Sequence, residues 1–277
     1  MSTIKTSQTT ETPVPSEPGR LDPGQAARLR LALSAGAAEL SGLLQDPDPD
    51  LIRSALKNPH LGEEHLLALL KRQNLPERLI RAVHRVPLVS GSRRLKIALA
   101  GHPGTPAPLL AELLAQLHLF ELVAVLQLSG GSPDHKVAAQ QAILKRLPET
   151  ELGAKISLAR RGSAAVLEAL LCEGEPRLVP AVLANPALKE SGILAFLRSP
   201  AASAETISAV ARHPRWGTRA SLRLALLRNR KTPPVWFTLF LPSLATGAVK
   251  GLLSSKGLGA RQLEAVQGEL ESRQARS

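Results

Sequence analysis

One offset runs through the whole chain. Adding 127 to many residue numbers in the first half reaches the same residue type in the second. Asn58-Pro59 becomes Asn185-Pro186, Pro87 becomes Pro214, and Thr105-Pro106 becomes Thr232-Pro233. Leucines follow the same rule, as Leu56, Leu61, Leu67 and Leu70 become Leu183, Leu188, Leu194 and Leu197. The register needs no gap and holds over roughly 24–146 against 151–273. Composition alone does not produce one offset over such a span. It predicts two tandem copies of one unit of about 127 residues, over 22–148 and 149–277, the second packed continuously on the first.

Within each copy, Asn-Pro, His-Pro and Gly recur at short intervals. Proline ends a helix by removing a donor and restricting the residue before it. Between these breaks apolar residues return at helical spacing, as in Leu95, Ala98 and Leu99. About nine short helices are expected in the first copy: 25–34, 36–45, 49–57, 62–73, 76–85, 91–101, 106–117, 119–128 and 133–147. Composition agrees, because Leu and Ala dominate, aromatics are 2% and Tyr is absent. Leu and Ala favour helix, whereas strands are enriched in β-branched and aromatic residues. Helices this short are marginal alone and must stack on neighbours. The expected fold is therefore all-α, an α-solenoid of stacked helices.

Four segments share a shape: Ala55-Leu-Lys-Asn-Pro-His-Leu, Ala98-Leu-Ala-Gly-His-Pro-Gly-Thr, Val182-Leu-Ala-Asn-Pro-Ala-Leu and Ala209-Val-Ala-Arg-His-Pro-Arg-Trp. Each has a small apolar pair and then Asn/His-Pro. Leu or Thr and then a leucine-rich helix complete the pattern. The pattern resembles the leucine-rich repeat variant group, a bacterial relative of HEAT-type solenoids. That resemblance covers four to six short motifs. It implies a right-handed superhelix of short helices that holds partners rather than catalyses. The motif prolines Pro59, Pro87 and Pro103 are unevenly spaced, the second gap little more than half the first, which predicts an irregular solenoid. The motif residues serve packing and turns, so the resemblance carries no functional site.

Cys172 is the one cysteine. A disulfide framework, a thiolate zinc site and a cysteine-ligated iron–sulfur cluster are excluded within one chain. A lone thiol suits a reducing compartment, and a cytoplasmic location is expected. Residues 1–21, rich in Ser, Thr, Pro and Glu, are expected to form a disordered tail without a signal-peptide core. The run from Thr232 to Val249 carries no charged side chain but contains Pro233, Pro234, Pro242 and Gly247. A buried helical hairpin, not a membrane span, is expected there.

Candidate chemistry is sparse. His60 and His65 flank Glu63 and Glu64, but a spacing of five places the two imidazoles about 140° apart on a helix. Glu63 and Glu64 fit a helix start, where the dipole favours negative charge. Cys172 has no His near in sequence and is expected to be a partly buried structural thiol. Asp46, Asp48 and Asp50 resemble the opening of a calcium loop but lack its glycine and distal glutamate. Nucleophile elbows, phosphate loops and dinucleotide fingerprints are missing. Ser132 is expected to cap the helix at 133. No catalytic, metal or cofactor site is expected, and none of the candidate clusters recurs in the second copy.

Basic charge does recur. The net charge is +12, and Lys71, Arg72, Arg78, Arg81, Arg85, Arg93, Arg94 and Lys96 crowd the fifth and sixth helices of the first copy. The second copy places Arg212, Arg215, Arg219, Arg223, Arg228, Arg230 and Lys231 in the same region. Phe237 and Phe240 replace Leu110 and Leu113 and are expected in the core. Trp236, at a position of variable character, is expected to be partly exposed. The candidate partner- or phosphate-binding surface is Arg85, Arg93, Lys96, Arg212, Arg215, Arg219, Arg223, Trp216 and Trp236. The expected function is a non-catalytic scaffold for a protein partner. An acidic protein or a nucleic acid is the competing ligand, although aromatics to stack bases are scarce. The sequence leaves the oligomeric state open.

Overall fold

The computed structural model describes residues 23–254 and 257–275. The expected tail, 1–21, lies outside the described residues. Those residues form nineteen α-helices and no strand. None of the described helices is long and apolar enough to cross a membrane. The uncharged run after Thr232 is divided between two short helices, Pro234–Phe240 and Thr246–Leu253.

The chain divides into two compact units, residues 1–95 and 96–277. In the first lie α1 (Pro23–Ser34), α2 (Ala37–Leu43), α3 (Pro49–Ala55), α4 (Glu63–Leu70), α5 (Glu77–His84) and α6 (Pro87–Gly91). The next helix, α7 (Arg93–Gly101), begins where this unit ends. The second holds α8 (Ala107–Gln116), α9 (Leu119–Gln127), α10 (Pro133–Arg146), α11 (Leu152–Ala159), α12 (Ala164–Cys172) and α13 (Val179–Ala184). It continues through α14 (Glu190–Arg198), α15 (Ala204–Arg212), α16 (Ala220–Arg228), α17 (Pro234–Phe240), α18 (Thr246–Leu253) and α19 (Ala260–Gln274). All nine helices expected in the first copy form, with small differences at their ends. The short α6 is additional. It follows Val86-Pro87, where the proline occupies the first helical turn and needs no donor.

Besides sequence neighbours such as α9 with α10 and α18 with α19, many helices in each unit touch the helix two places further on. In the first unit α1 meets α3, α3 meets α5 and α2 meets α4. In the second, α8, α10, α12, α14, α16 and α18 form one row, each touching the next. On the other side α11 meets α13, α13 meets α15 and α17 meets α19. Leu66 and Leu69 of α4, Leu79, Ile80 and Val83 of α5, and Phe196, Trp216, Leu226 and Phe237 in the second unit are almost wholly buried. Removing such a side chain costs about 2–5 kcal/mol.

Local chemistry ties the rows together. In the first unit the Asn58 amide donates to the carbonyls of Ala32 and Ala35 at 2.9 and 3.0 Å, and its Oδ1 accepts from the His60 N–H at 2.8 Å. In the second unit Asn185 donates to Ala159 at 2.7 Å and accepts from Ala187 at 2.8 Å. The Asn-Pro motif is therefore a clamp: it closes its own turn and satisfies a carbonyl at the end of an earlier helix, which has no intrahelical donor. Arg146 reaches the carbonyls of Leu114 and Leu117, and Arg273 reaches those of Leu241 and Leu244. Thr105 donates to the Leu99 carbonyl as Thr232 does to that of Leu226.

Candidate functional site

The basic residues of the second unit gather around two tryptophans, and both rings are buried. Trp216 is 1% exposed and Trp236 8%. This corrects the expectation of a partly exposed Trp236 and of either ring as a contact surface. The physical reason is hydrogen bonding. The Trp216 indole N–H donates to the Leu183 carbonyl at 2.9 Å, and that of Trp236 donates to Ser208 Oγ at 3.0 Å. A ring whose one donor finds an internal acceptor loses its reason to face water. Phe237 and Phe240 are buried, as expected.

Most of the arginines named with them are engaged internally. The Arg215 guanidinium lies 4.2 Å above the Trp216 ring and reaches the carbonyls of Asn185, Pro186 and Leu188 at 3.4–3.5 Å. Arg219 also lies over Trp216, at 5.1 Å, and pairs with Glu190, which in turn accepts from the Ser221 hydroxyl. Those two donors hold the Glu190 carboxyl below the ordinary carboxylate range, the Ser221 hydroxyl foremost. Arg223 bonds the Gly217 carbonyl at 2.7 Å and Ser243 Oγ at 2.8 Å, and covers Phe240 at 4.9 Å. Gly217 is required at that turn, because a Cβ there would overlap the Ala211 carbonyl oxygen. Arg212 lies 6.0 Å from the Trp236 ring centroid and stays exposed. His213 is pushed below its ordinary value by burial and then by Arg215.

In the first unit the picture is reversed. A groove of about 890 Å³ opens there, lined by residues from α3, α5, α6 and the turn after α3. Its floor is apolar: Leu56, Leu61, Ala82, Val86, Pro87 and Leu88. Leu88 is 41% exposed. Its rim carries Arg53, Lys57, Arg78, Arg81 and Arg85. Arg78, Arg81 and Arg85, on α5 and its last turn, share one face because they stand three and four residues apart, while Leu79, Ile80 and Val83 turn inward. Arg53 pairs with Asp50 at 3.3 Å and Arg81 with Glu77 at 2.7 Å. Lys57, Arg78 and Arg85 are exposed and have no carboxylate within ion-pair distance among the described residues. Of the candidate-surface residues only Arg85 lines this groove, together with Arg78 and Arg81 of the wider basic cluster. Arg93 is exposed and Lys96 half-buried, and neither lines it. Sequence reasoning passed over Arg53, Lys57 and Leu88. The i, i+3, i+7 spacing of the three α5 arginines was the signal available.

The other candidates resolve into local structure. His65 Nδ1 accepts from the Gly62 N–H at 3.0 Å at the start of α4, and its Nε2 lies 3.0 Å from the Ala37 carbonyl. Asp46 pairs with Arg28 at 2.7 Å and accepts from the Asp48 N–H, while Asp48 accepts from the Asp50 N–H at the start of α3. Among the described residues no group of three His, Cys, Asp or Glu side chains is placed to hold a metal ion. Ser132 occupies the cap position of α10, but its side chain makes no capping hydrogen bond. Cys172 is exposed rather than partly buried, because it ends α12 and faces out of its last turn. Crowding around the sulfur, and then Glu168, push its thiol up. The chain matches no protein-family model, and comparison with curated proteins and with solved structures finds no match.

Proposed function

We propose that this chain is a non-catalytic scaffold, an irregular α-solenoid of two tandem copies over 22–148 and 149–277 resembling the leucine-rich repeat variant group, that holds a protein partner. Three things support the duplication. Helix bounds repeat at the offset of 127, so that α7 over 93–101 answers to α16 over 220–228. The Asn58 and Asn185 clamps, and the Arg146 and Arg273 clamps, use corresponding carbonyls. The two-apart packing of helices is the pattern a solenoid needs. A cytoplasmic setting fits the lone thiol.

The groove of the first unit is the observation that carries the binding role. It combines a preformed apolar floor with a rim whose Lys57, Arg78 and Arg85 have no carboxylate partner among the described residues. Its volume falls in the range of about 300–1,000 Å³ common to ligand sites. Nucleic acid is the second reading, favoured by the net charge of +12. Against it, Arg215, Arg219 and Arg223 already hold internal partners. The test has two arms on the full chain. Affinity capture from source-cell lysate, with elution by salt and mass spectrometry, is expected to recover a stoichiometric protein. A salt titration against duplex DNA is expected to lose binding near physiological ionic strength. Tight duplex binding with a slope of several phosphates, and no captured protein, overturns the scaffold reading.

A further inference from the structure

The groove of the first unit is open at a turn that, in the matching stretch of the second, is crossed by a guanidinium. At the offset of 127, Leu88 becomes Arg215, whose guanidinium reaches the carbonyls of Asn185, Pro186 and Leu188. Those three answer to Asn58, Pro59 and Leu61, which line the open groove. Leu88 carries no donor and cannot bridge them. The rim changes too. Lys57, Arg78 and Arg81 are replaced by Ala184, Glu205 and Ser208. Where Arg215 crosses the turn those three cations are gone, and Arg212, the counterpart of Arg85, is the named rim cation that stays.

We propose that this groove binds a short acidic segment of a protein partner, one that carries leucine-like side chains among its carboxylates. The assignment rests on the scaffold reading above and names the class of partner. Carboxylates on such a segment meet Lys57, Arg78 and Arg85, and each guanidinium can take a carboxylate through two parallel hydrogen bonds. Its apolar side chains cover Leu88 and the Leu56–Leu61 floor. Its backbone N–H groups meet the carbonyl-bearing turn of residues 58–61, where the second unit uses a guanidinium. A nucleic acid offers acceptors to the rim but leaves the apolar floor unused, and no aromatic residue lines the groove to stack a base.

Fluorescence anisotropy on the full chain tests this. The probe is a short labelled peptide that alternates Glu or Asp with Leu. An all-Glu peptide of equal charge and a short duplex DNA serve as comparisons. The alternating peptide is expected to bind at micromolar concentration and to bind tightest of the three. Binding weakens by about tenfold or more in the double variant Arg78→Glu/Arg85→Glu. It weakens similarly in Leu88→Arg, which places a guanidinium where the second unit has one. All three side chains are exposed, and circular dichroism checks that helix content is retained. Equal or tighter binding of the all-Glu peptide or the duplex overturns the proposal, as does unchanged binding in Leu88→Arg. A lysate partner captured equally by the chain and by the double variant overturns the groove assignment while leaving the scaffold reading intact.

Discussion

The indole N–H of Trp216 donates to the Leu183 carbonyl at 2.9 Å, across 33 residues of chain. Leu183 lies in the last turn of α13, so its carbonyl has no donor from its own helix. One hydrogen bond thus closes a helix end and keeps a large ring inside. Trp216→Phe keeps most of the apolar area but strands that carbonyl. A loss of about 1–3 kcal/mol is expected in urea unfolding. A change below about 0.5 kcal/mol, the level of an ordinary surface substitution, would mean the bond contributes little.

The asparagine clamps give a matched pair of experiments. Asn58→Ala and Asn185→Ala each remove a donor to a buried carbonyl and an acceptor that closes the Asn-Pro turn. Each is expected to cost about 1–3 kcal/mol, with the two effects similar in size. Thermal unfolding of the single variants measures this. A large effect at one site and none at the other would show that the two turns do different jobs.

Acid should act through Glu190. Its carboxyl is held low by the Ser221 hydroxyl and by Arg219. A carboxyl with a lowered folded value contributes stability above its unfolded value, and loses it as pH falls through the folded value. As pH falls below the ordinary carboxylate range the native chain should therefore lose more stability than Glu190→Gln does. The pair is partly exposed, so the difference is modest and shrinks with salt. Parallel pH profiles of the two chains would refute the assignment.

Cys172 should be sluggish despite its exposure. The thiolate is the reactive form, and crowding together with Glu168 disfavours it. Alkylation by iodoacetamide near neutral pH should run slower than for a free cysteine. Glu168→Gln should accelerate it. An unchanged rate in that variant would remove Glu168 from the account.

Helix positions were legible because their causes are local. Prolines at 49, 87, 133 and 234 start helices within the first turn, and Asn58 and Asn185 mark their ends. The offset of 127 was legible for a related reason, since matching residues make matching hydrogen bonds, as Thr105 and Thr232 do. The spacing of Arg78, Arg81 and Arg85 against Leu79, Ile80 and Val83 carries the two faces of α5 in the same local way.

What an outward arginine meets was not legible in this way. Arg219 and Arg78 look alike in sequence, yet Arg219 finds Glu190 on a different helix, while Arg78 finds no carboxylate among the described residues. Trp216 finds a carbonyl 33 residues back and is buried, although its neighbours Arg215 and Arg219 mark the segment as surface. Each outcome depends on which group the helix two places away presents. Spacing along the chain was enough for the helices, their register and the inward stripe of each, because these depend on near neighbours. Which cations are left to meet a partner, and whether a groove lies beneath them, rests on contacts between groups far apart in sequence, and those exist only once the helices have stacked.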